Sequence, residues 1–274
     1  MRRPLIAANW KMFKTVGEAE EFVTTFLPLM KDISGVDVVI CPPASALLAT
    51  KQALGDSPVA LGGQDCFWKN EDAYSGQISP RMLADIGCSY VIIGHSEKRG
   101  RLGPRKDPPP AGLLSTMADN DESVNAKAKA ALAEGLTPIV CVGETREERD
   151  ALQTEAVVAR QVEKALAGLD AGQVAALVMA YEPVWAIGAG TPCEPADAVK
   201  VVGLVRETVA SLFGREAAGT VRIQYGGTVK PENMAGFMEY EQIDGGLVGG
   251  ASLDPAGFAT IVRRAEQTIK RQRK

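Results

Sequence analysis

The sequence contains few residues that bind metals or form disulfides. It has one histidine, His95, and five cysteines, at positions 41, 66, 88, 141 and 193, among 274 residues. The cysteines are odd in number, widely spaced and never arranged as CxxC. We therefore expect neither a disulfide framework nor a Cys/His zinc site, and we expect a reducing, cytoplasmic setting.

Long apolar runs and an excess of charge of one sign are also missing. No run of about 18 apolar residues occurs, so the sequence predicts no membrane span, and it predicts no signal peptide. The 30 basic and 34 acidic residues give a net charge of −4, which disfavours nucleic-acid binding. Hydrophobic residues make up 46% of the chain, which excludes predominant disorder.

Short apolar segments alternate with longer segments of helical period along the whole chain. The predicted strands are Leu5–Asn9, Val36–Cys41, Ala60–Asp65, Tyr90–Gly94, Thr137–Val142, Leu177–Tyr181, Val221–Tyr225 and Gly246–Val248. The predicted helices include Glu18–Lys31, Asn120–Glu134, Arg146–Leu169, Ala196–Phe213 and Asp254–Gln272. The strands are continuous apolar runs at a spacing of roughly 31 residues, as expected for the βα units of a parallel sheet.

A parallel sheet of eight such units either closes into a barrel or stays open as a doubly wound sheet. An open sheet usually carries a GxGxxG turn after its first strand, whereas this first strand ends in Asn9-Trp10-Lys11. Polar residues follow several strands, and the carboxyl ends of barrel strands converge on one face. We therefore predict an α/β protein, a (β/α)8 TIM barrel, with one domain over residues 1–274.

One segment interrupts the pattern after the fourth strand. Residues 100–117 read GRLGPRKDPPPAGLLSTM, and the prolines exclude a regular helix from the first half. Ala111–Ala118 is predicted as a short helix. A solvated surface insertion is the preferred interpretation, and a lid or a subunit contact is the alternative.

Two residues with acid–base chemistry stand at predicted strand ends. His95 follows the fourth strand just before a helix, and a structural role is its alternative. Glu182 ends the sixth strand and is followed by Pro183 and an apolar, glycine-containing segment that reaches Gly190. A carboxylate there suits a general base, and the segment suits a closing lid; a solvated glutamate before a flexible loop is the alternative.

Two glycine-rich turns and a lysine favour a phosphate site. Tyr225-Gly226-Gly227-Thr228 and Val248-Gly249-Gly250-Ala251-Ser252 end the seventh and eighth strands. Backbone N–H groups of such turns bind phosphate, and barrels commonly hold phosphate at this place. Tight packing remains the alternative for either turn alone. Lys11 is placed to neutralise a phosphate or an oxyanion, and Asn9 ends a buried strand at the barrel mouth.

Six motifs resemble those of the triosephosphate isomerase family, in order from about Pro4 to Ile269 and interrupted only by the insertion. They are Asn9-Trp10-Lys11-Met12, Gly94-His95-Ser96-Glu97-Lys98-Arg99, Cys141-Val142-Gly143-Glu144-Thr145, Ala180 through Gly190, Tyr225-Gly226-Gly227-Thr228 and Gly249-Gly250-Ala251-Ser252-Leu253.

The resemblance implies interconversion of dihydroxyacetone phosphate and D-glyceraldehyde 3-phosphate through an enediolate, without cofactor or metal, in glycolysis and gluconeogenesis. It implies that Glu182 is the base and that His95 polarises the carbonyl and moves protons between the oxygens. Lys11 would stabilise negative charge, and Asn9 would help to bind the substrate. The implied phosphate contacts are Gly188, Thr228, Gly249 and Gly250.

Family members are usually homodimers in which the loop after the third strand reaches into the partner. Here that loop is Asp65–Ser79, with Phe67, Trp68 and Tyr74 as candidate anchors. The chain departs from the family pattern at Ala189 and at Thr191-Pro192-Cys193, where Pro192 is expected to restrict the lid hinge.

Two other functions remain open from the sequence. One is a related isomerase for a four-carbon ketose phosphate, against which the short glycine turn at Gly249 and the intact Asn9 argue by resemblance. The other is a catalytically idle barrel with a binding role. Such a protein has no physical need for the set Asn9, Lys11, His95 and Glu182.

Overall fold

Eight parallel strands close into a barrel in the computed structural model, which describes residues 2–104, 109–114, 116, 119–188 and 193–272. The strands are β1 Leu5–Asn9, β2 Asp37–Cys41, β3 Ala60–Gly63, β4 Tyr90–Ile93, β5 Thr137–Val142, β6 Val178–Tyr181, β7 Arg222–Tyr225 and β8 Gly245–Val248. Each strand pairs with the next, and β1 closes the barrel by pairing with β8 from Leu5 opposite Gly245. The predicted TIM barrel is confirmed, and the predicted strand ends agree within two residues.

Helices connect the strands on the outside of the barrel. They are α1 Val16–Leu29, α2 Leu47–Leu54, α3 Pro80–Ile86, α4 Ala111–Leu114, α5 Asp121–Ala133, α6 Arg146–Asp150, α7 Thr154–Leu166, α8 Ala171–Ala176, α9 Pro195–Thr220, α10 Met234–Met238 and α11 Pro255–Gln272. The prediction of one helix over Arg146–Leu169 is wrong, because the chain turns between α6 and α7. Leu152 there has a φ of 58°, which a right-handed helix does not allow.

The apolar residues form two layers, one inside the barrel and one between the barrel and its helices. Leu5 and Ala7 of β1 belong to the inner layer, whereas Ile6 and Ala8 belong to the outer one. Side chains alternate along a strand, so a strand buried on both sides is apolar at every position. The same alternation turns Asn9 toward the mouth of the barrel.

The insertion is described in part. Its helix α4 covers Ala111–Leu114; most of the remainder of the predicted helix to Ala118, residues 115, 117 and 118, lies outside the described residues, as do residues 105–108. No helix in the described part of the chain combines the length and the apolar character needed to cross a membrane.

Candidate active site

A cleft of about 270 Å³ opens at the carboxyl ends of the strands. It is lined by Asn9, Lys11, His95, Ile187, Gly188, Gly226, Gly227, Thr228, Val229, Lys230, Leu247, Gly249, Gly250 and Ala251. Every site residue predicted from the sequence lines this cleft except Glu182, whose carboxylate lies behind His95. The motifs that are far apart in the chain therefore meet at one place, because the carboxyl ends of all eight strands converge there.

The end of β1 gives Lys11 an unusual backbone. Lys11 has a φ of 54°, in the left-handed region that a lysine seldom adopts. The Asn9 side chain accepts a hydrogen bond from the Lys11 N–H at 3.0 Å. Gln64, which follows β3, donates its Nε2 to the Lys11 and Cys41 carbonyls, both at 2.9 Å. Gln64 was not predicted as a site residue, although its position after a strand was a signal.

The Lys11 side chain lies between two loops of the cleft. Its Nζ is 2.9 Å from Glu97 Oε1 in the loop after β4. On the other side, a Cβ placed on Gly249 would lie 3.3 Å from Lys11 Cε. The bare backbone of Gly249 therefore leaves room for the lysine next to the turn predicted to bind phosphate.

His95 is buried at the end of β4, with 6% of its surface exposed. The Glu97 N–H donates to His95 Nδ1 at 3.2 Å. A ring nitrogen that accepts carries no proton, so this contact assigns the proton to Nε2 of a neutral imidazole. His95 Nε2 lies 2.8 Å from Glu182 Oε1, but its N–H is not directed at that oxygen, so this contact is not a hydrogen bond.

Glu182 is 1% exposed, and only one of its carboxylate oxygens is hydrogen-bonded. Oε2 accepts from the Ser96 N–H at 2.9 Å, whereas Oε1 is buried without a hydrogen-bond partner among the described residues. Burial, together with the Glu182 charge, raises the pKa of the neighbouring Cys141 thiol, which keeps the thiol protonated. Ser96 belongs to one of the motifs found in the sequence. Its role rests on its backbone N–H, however, and sequence reasoning considered only side chains.

A Cβ placed on Gly226 would lie 3.0 Å from Glu182 Cγ. This glycine in the β7 turn therefore makes room for the carboxylate as well as lining the cleft.

The chain after Glu182 is attached to the loop after β5 through Glu144. The Tyr181 hydroxyl and Trp185 Nε1 donate to Glu144 Oε1 at 3.1 and 2.8 Å. The Arg149 guanidinium lies over the Trp185 ring, 4.1 Å from its centre. Burial raises the pKa of Glu144. These contacts fix the first residues of the segment 182–188, which we call the β6 loop.

The opposite side of the cleft is built from the two glycine turns after β7 and β8. Thr228 Oγ1 donates to the Ala186 carbonyl at 2.6 Å, so the β7 turn is tied to the β6 loop. Gly188 has a φ of 72°, a conformation that suits glycine. Lys230 lines the cleft and was not predicted, although it follows the turn by two residues. Ala189 and residues 190–192 lie outside the described residues, so the expected effect of Pro192 on the hinge stays a prediction.

Comparisons with known proteins agree on one family. The family model described as triosephosphate isomerase matches residues 4–265. The triosephosphate isomerase of Symbiobacterium thermophilum is 51% identical over 271 residues, which cover 99% of this chain and 100% of the relative. That of Carboxydothermus hydrogenoformans is 51% identical over 263 residues, which cover 96% of this chain and 99% of the relative.

A solved structure matches over the same extent. The crystal structure of triosephosphate isomerase from Bartonella henselae has a TM-score of 0.80 and 37% identity, covering 96% of this chain and 99% of that one. The matches therefore include all eight strands and the loops that form the cleft.

Proposed function

Because the chain belongs to the triosephosphate isomerase family and interconverts dihydroxyacetone phosphate and D-glyceraldehyde 3-phosphate, we propose that Glu182 is the base of this reaction. The observation that carries the proposal is the state of its carboxylate. The group is buried, one oxygen is held by the Ser96 N–H, and the other has no hydrogen-bond partner among the described residues. A carboxylate oxygen with an unused lone pair, kept out of water, is suited to accept a proton from carbon.

In the proposed mechanism Glu182 removes a proton from the carbon next to the substrate carbonyl. The electron pair of the broken C–H bond forms the C=C bond of an enediolate, and the carbonyl oxygen takes up the negative charge. Glu182 then returns the proton to the neighbouring carbon. The carboxylate does not line the cleft in this structure, so its side chain must rotate toward the substrate before the transfer.

His95 and Lys11 stabilise the developing charge in this proposal. The Nε2–H of the neutral imidazole donates to the oxygen that becomes negative and moves protons between the two substrate oxygens. The Lys11 ammonium, which lines the cleft, supplies a positive charge on the same side. Asn9 lines the cleft beside Lys11, which supports its proposed role in binding the substrate oxygens.

The phosphate is proposed to bind where the β6 loop faces the two glycine turns. The proposed contacts are Gly188, Thr228, Gly249 and Gly250, all of which line the cleft. Backbone N–H groups without a neighbouring side chain approach a dianion closely. Ile187 lines the same part of the cleft and contributes apolar surface that excludes water from the enediolate.

The test compares two glutamate-to-glutamine variants of the purified protein in isomerisation of glyceraldehyde 3-phosphate. Glu182→Gln keeps the size of the side chain and removes the base, so we expect kcat to fall by about 10³-fold. Glu266→Gln, which changes an equally buried glutamate far from the cleft, is the matched control and should keep kcat within about twofold. A Glu182→Gln variant that folds and keeps its activity would refute the assignment. A four-carbon ketose phosphate should not be turned over.

We also propose that residues 1–274 act as one domain in the cytoplasm. Closure of the barrel between β1 and β8 joins the two halves of the chain, which supports one domain. The five cysteines are free and buried, which is compatible with a reducing compartment.

The proposed homodimer forms through the loop Asp65–Ser79. Phe67 is buried and stacks on Trp68, with ring centres 3.8 Å apart, while Trp68 and Tyr74 remain 41% and 43% exposed. Exposed aromatic side chains on a stiff base are typical interface anchors. Trp68→Ala should shift the protein from dimer to monomer in sedimentation equilibrium, while Leu212→Ala, an exposed apolar residue of α9, should not. A wild-type monomer would refute the proposal.

A further inference from the structure

The start of the insertion touches the β6 loop. A Cβ placed on Gly103 would lie 2.2 Å from the Ile187 carbonyl oxygen and 2.8 Å from that of Val184. Both neighbours are backbone atoms, so no flexible side chain can move away to make room. Gly103 does not have the positive φ that favours glycine. The absence of a side chain at this position therefore matters because of the β6 loop and not because of the local backbone.

The residues just before Gly103 are fixed to the active-site loops. The Arg101 N–H donates to the Ser96 carbonyl at 2.9 Å, and Ser96 in turn holds the Glu182 carboxylate. The Arg101 guanidinium donates to the Gly143 carbonyl at 3.2 Å and forms an ion pair with Glu148. The start of the insertion is thus attached to the loops after β4 and β5.

The other side of this segment is closed by helix α4. A Cβ placed on Gly100 would lie 3.2 Å from the Leu114 carbonyl oxygen, so the chain returns against its own start. The segment 100–104 therefore contacts α4 at Gly100 and is bound through the Arg101 side chain to the Gly143 carbonyl and Glu148. The backbone of Gly103 faces the β6 loop.

We propose that Gly103 is a positioning residue for the isomerase reaction: it seats the backbone from Val184 to Ile187 and thereby sets the approach of Glu182 to the substrate. The inference rests on the proposed role of Glu182, which starts the same loop. Ile187 lines the cleft on the substrate side while its carbonyl faces Gly103 on the other side. A displacement of this backbone moves both the base and the apolar cover of the substrate.

Gly103→Ala tests the inference by forcing the two backbones apart. A shift of about 1 Å in a positioning element costs up to about 10²-fold in rate, and we expect kcat/KM to fall at least about tenfold. A displaced cover also admits water to the enediolate. Its C–O bond to phosphate then breaks, the electron pair leaves with inorganic phosphate, and the remaining enol tautomerises to methylglyoxal. The fraction of turnovers that release inorganic phosphate should therefore rise, which a loss of folded protein alone would not cause.

Gly112→Ala is the matched control within the same insertion. A Cβ at this position meets no atom within 4 Å, and we expect unchanged kcat/KM and unchanged phosphate release. If Gly103→Ala does not fold, Arg101→Met is the second variant. It removes the attachment to Gly143 and Glu148 without adding a clash, and phosphate release should again rise, with a smaller loss of kcat/KM.

Each outcome assigns the failure to one proposal. Normal kcat/KM and normal phosphate release in Gly103→Ala would overturn the positioning role, whatever Glu182→Gln shows. Full activity of Glu182→Gln would overturn the base assignment and with it the link between Gly103 and the base, whereas the phosphate release of Gly103→Ala would still test whether Gly103 positions the cover of the substrate. A fall in kcat/KM of Gly103→Ala with no rise in phosphate release, matched by the same fall in its folded fraction, would reduce the contact to a structural one and would also overturn the inference.

Discussion

Two glutamates at opposite ends of the barrel are buried to a similar degree but differ in the hydrogen bonds and ion pairs of their carboxylate oxygens. Glu266 on α11 is 4% exposed and lies beside the turn that leads into β2. Its Oε1 accepts from the Ser34 and Gly35 N–H groups at 2.9 and 2.7 Å, and its Oε2 pairs with Lys270 at 2.9 Å. Both oxygens of this carboxylate are therefore fully used by the fold.

Glu182 at the carboxyl end of β6 is 1% exposed, yet one of its two oxygens has no hydrogen-bond partner among the described residues. A buried polar atom without a partner costs stability, and natural proteins keep few of them. The comparison teaches that the two ends of this barrel have separate tasks. At the amino end, the carboxylates of Glu266 and Asp244 have partners for both oxygens, whereas at the carboxyl end Glu182 keeps one oxygen available for a substrate.

Asp244 at the amino end and Lys11 at the carboxyl end extend the comparison. At the amino end, Asp244 pairs with Arg2 at 2.6 Å and with Arg206 at 2.9 Å and also accepts from the Ile223 N–H. At the carboxyl end, Lys11 sits on a left-handed backbone. Strained backbone at a functional site is tolerated when the surrounding structure holds it, as Gln64 does here.

After the two glutamates, the largest predicted difference between the ends comes from two lysines, each paired with a glutamate at 2.9 Å. Lys11 pairs with Glu97 in the cleft, and Lys270 pairs with Glu266 at the amino end. Lys11→Met should lower kcat/KM by about 10²-fold, because the cation next to the enediolate and the phosphate is lost. Lys270→Met should leave kcat/KM within about twofold, since no group of the cleft depends on it. Steady-state kinetics of both variants measure this. Equal losses of kcat/KM would contradict the proposed difference between the two ends of the barrel.

The second prediction concerns stability, for which we expect the larger effect at the amino end rather than at the carboxyl end. Glu266→Gln removes a charged acceptor of two backbone N–H groups and the partner of Lys270, so the free energy of unfolding should fall by about 1.5 kcal/mol. Glu182→Gln keeps an amide oxygen that can accept from the Ser96 N–H, and its contact with His95 is not a hydrogen bond, so it should change the free energy of unfolding by less than about 0.5 kcal/mol. Urea unfolding at one fixed protein concentration checks this, since dimerisation makes stability depend on concentration. A larger loss in Glu182→Gln would contradict the division of tasks.

The fold was largely predictable because its strands are buried on both faces. The predicted bounds of Leu5–Asn9 and Thr137–Val142 agree with the structure residue for residue. The single helix predicted over Arg146–Leu169 failed because residues 146–153 contain no glycine or proline that would mark the turn at Leu152. A left-handed leucine gives no compositional signal, unlike a glycine or a proline.

The candidate site was predictable where side chains follow strands and not where backbone groups act. Asn9, Lys11 and His95 were found because carboxyl ends of parallel strands meet on one face. The role of Ser96 depends on the direction of its N–H, and that of Gln64 on a carbonyl 53 residues away in the chain. The sequence shows that Gln64 follows a strand, but the partners of both contacts depend on the three-dimensional path of the chain.

The third prediction sharpens the comparison at the cleft itself. Gln64→Met keeps the length of the side chain and removes both hydrogen bonds to the Lys11 and Cys41 carbonyls. The strained backbone of Lys11 loses support, and we expect kcat/KM to fall about fivefold with little change in stability. Gln272→Met, which removes two hydrogen bonds from a glutamine Nε2 at the end of α11, is the control and should not change kcat/KM. Equal activities of the two variants would remove Gln64 from the site.

The smallest predicted effect is a change with pH in the stability that Glu266 provides. Burial by itself raises the pKa of Glu266, but hydrogen bonds from the Ser34 N–H, Lys270 and the Gly35 N–H outweigh it, so the pKa lies below its value of 4.5 in the unfolded chain. A lowered pKa means that the folded state holds the carboxylate ionised where the unfolded chain is already taking up a proton. The stabilisation is therefore complete above pH 4.5 and is lost as the pH falls through the lower, folded-state pKa.

The difference in unfolding free energy between the wild type and Glu266→Gln should accordingly be full at neutral pH and shrink below about pH 4, because glutamine does not titrate. Urea unfolding of both proteins across this range measures it. If the difference for Glu266→Gln stayed constant down to the acid limit of folding, the carboxylate would be stabilised by packing and not by its charge. Glu266 would then no longer support the conclusion that the amino end stabilises its buried carboxylates through charge and hydrogen bonds.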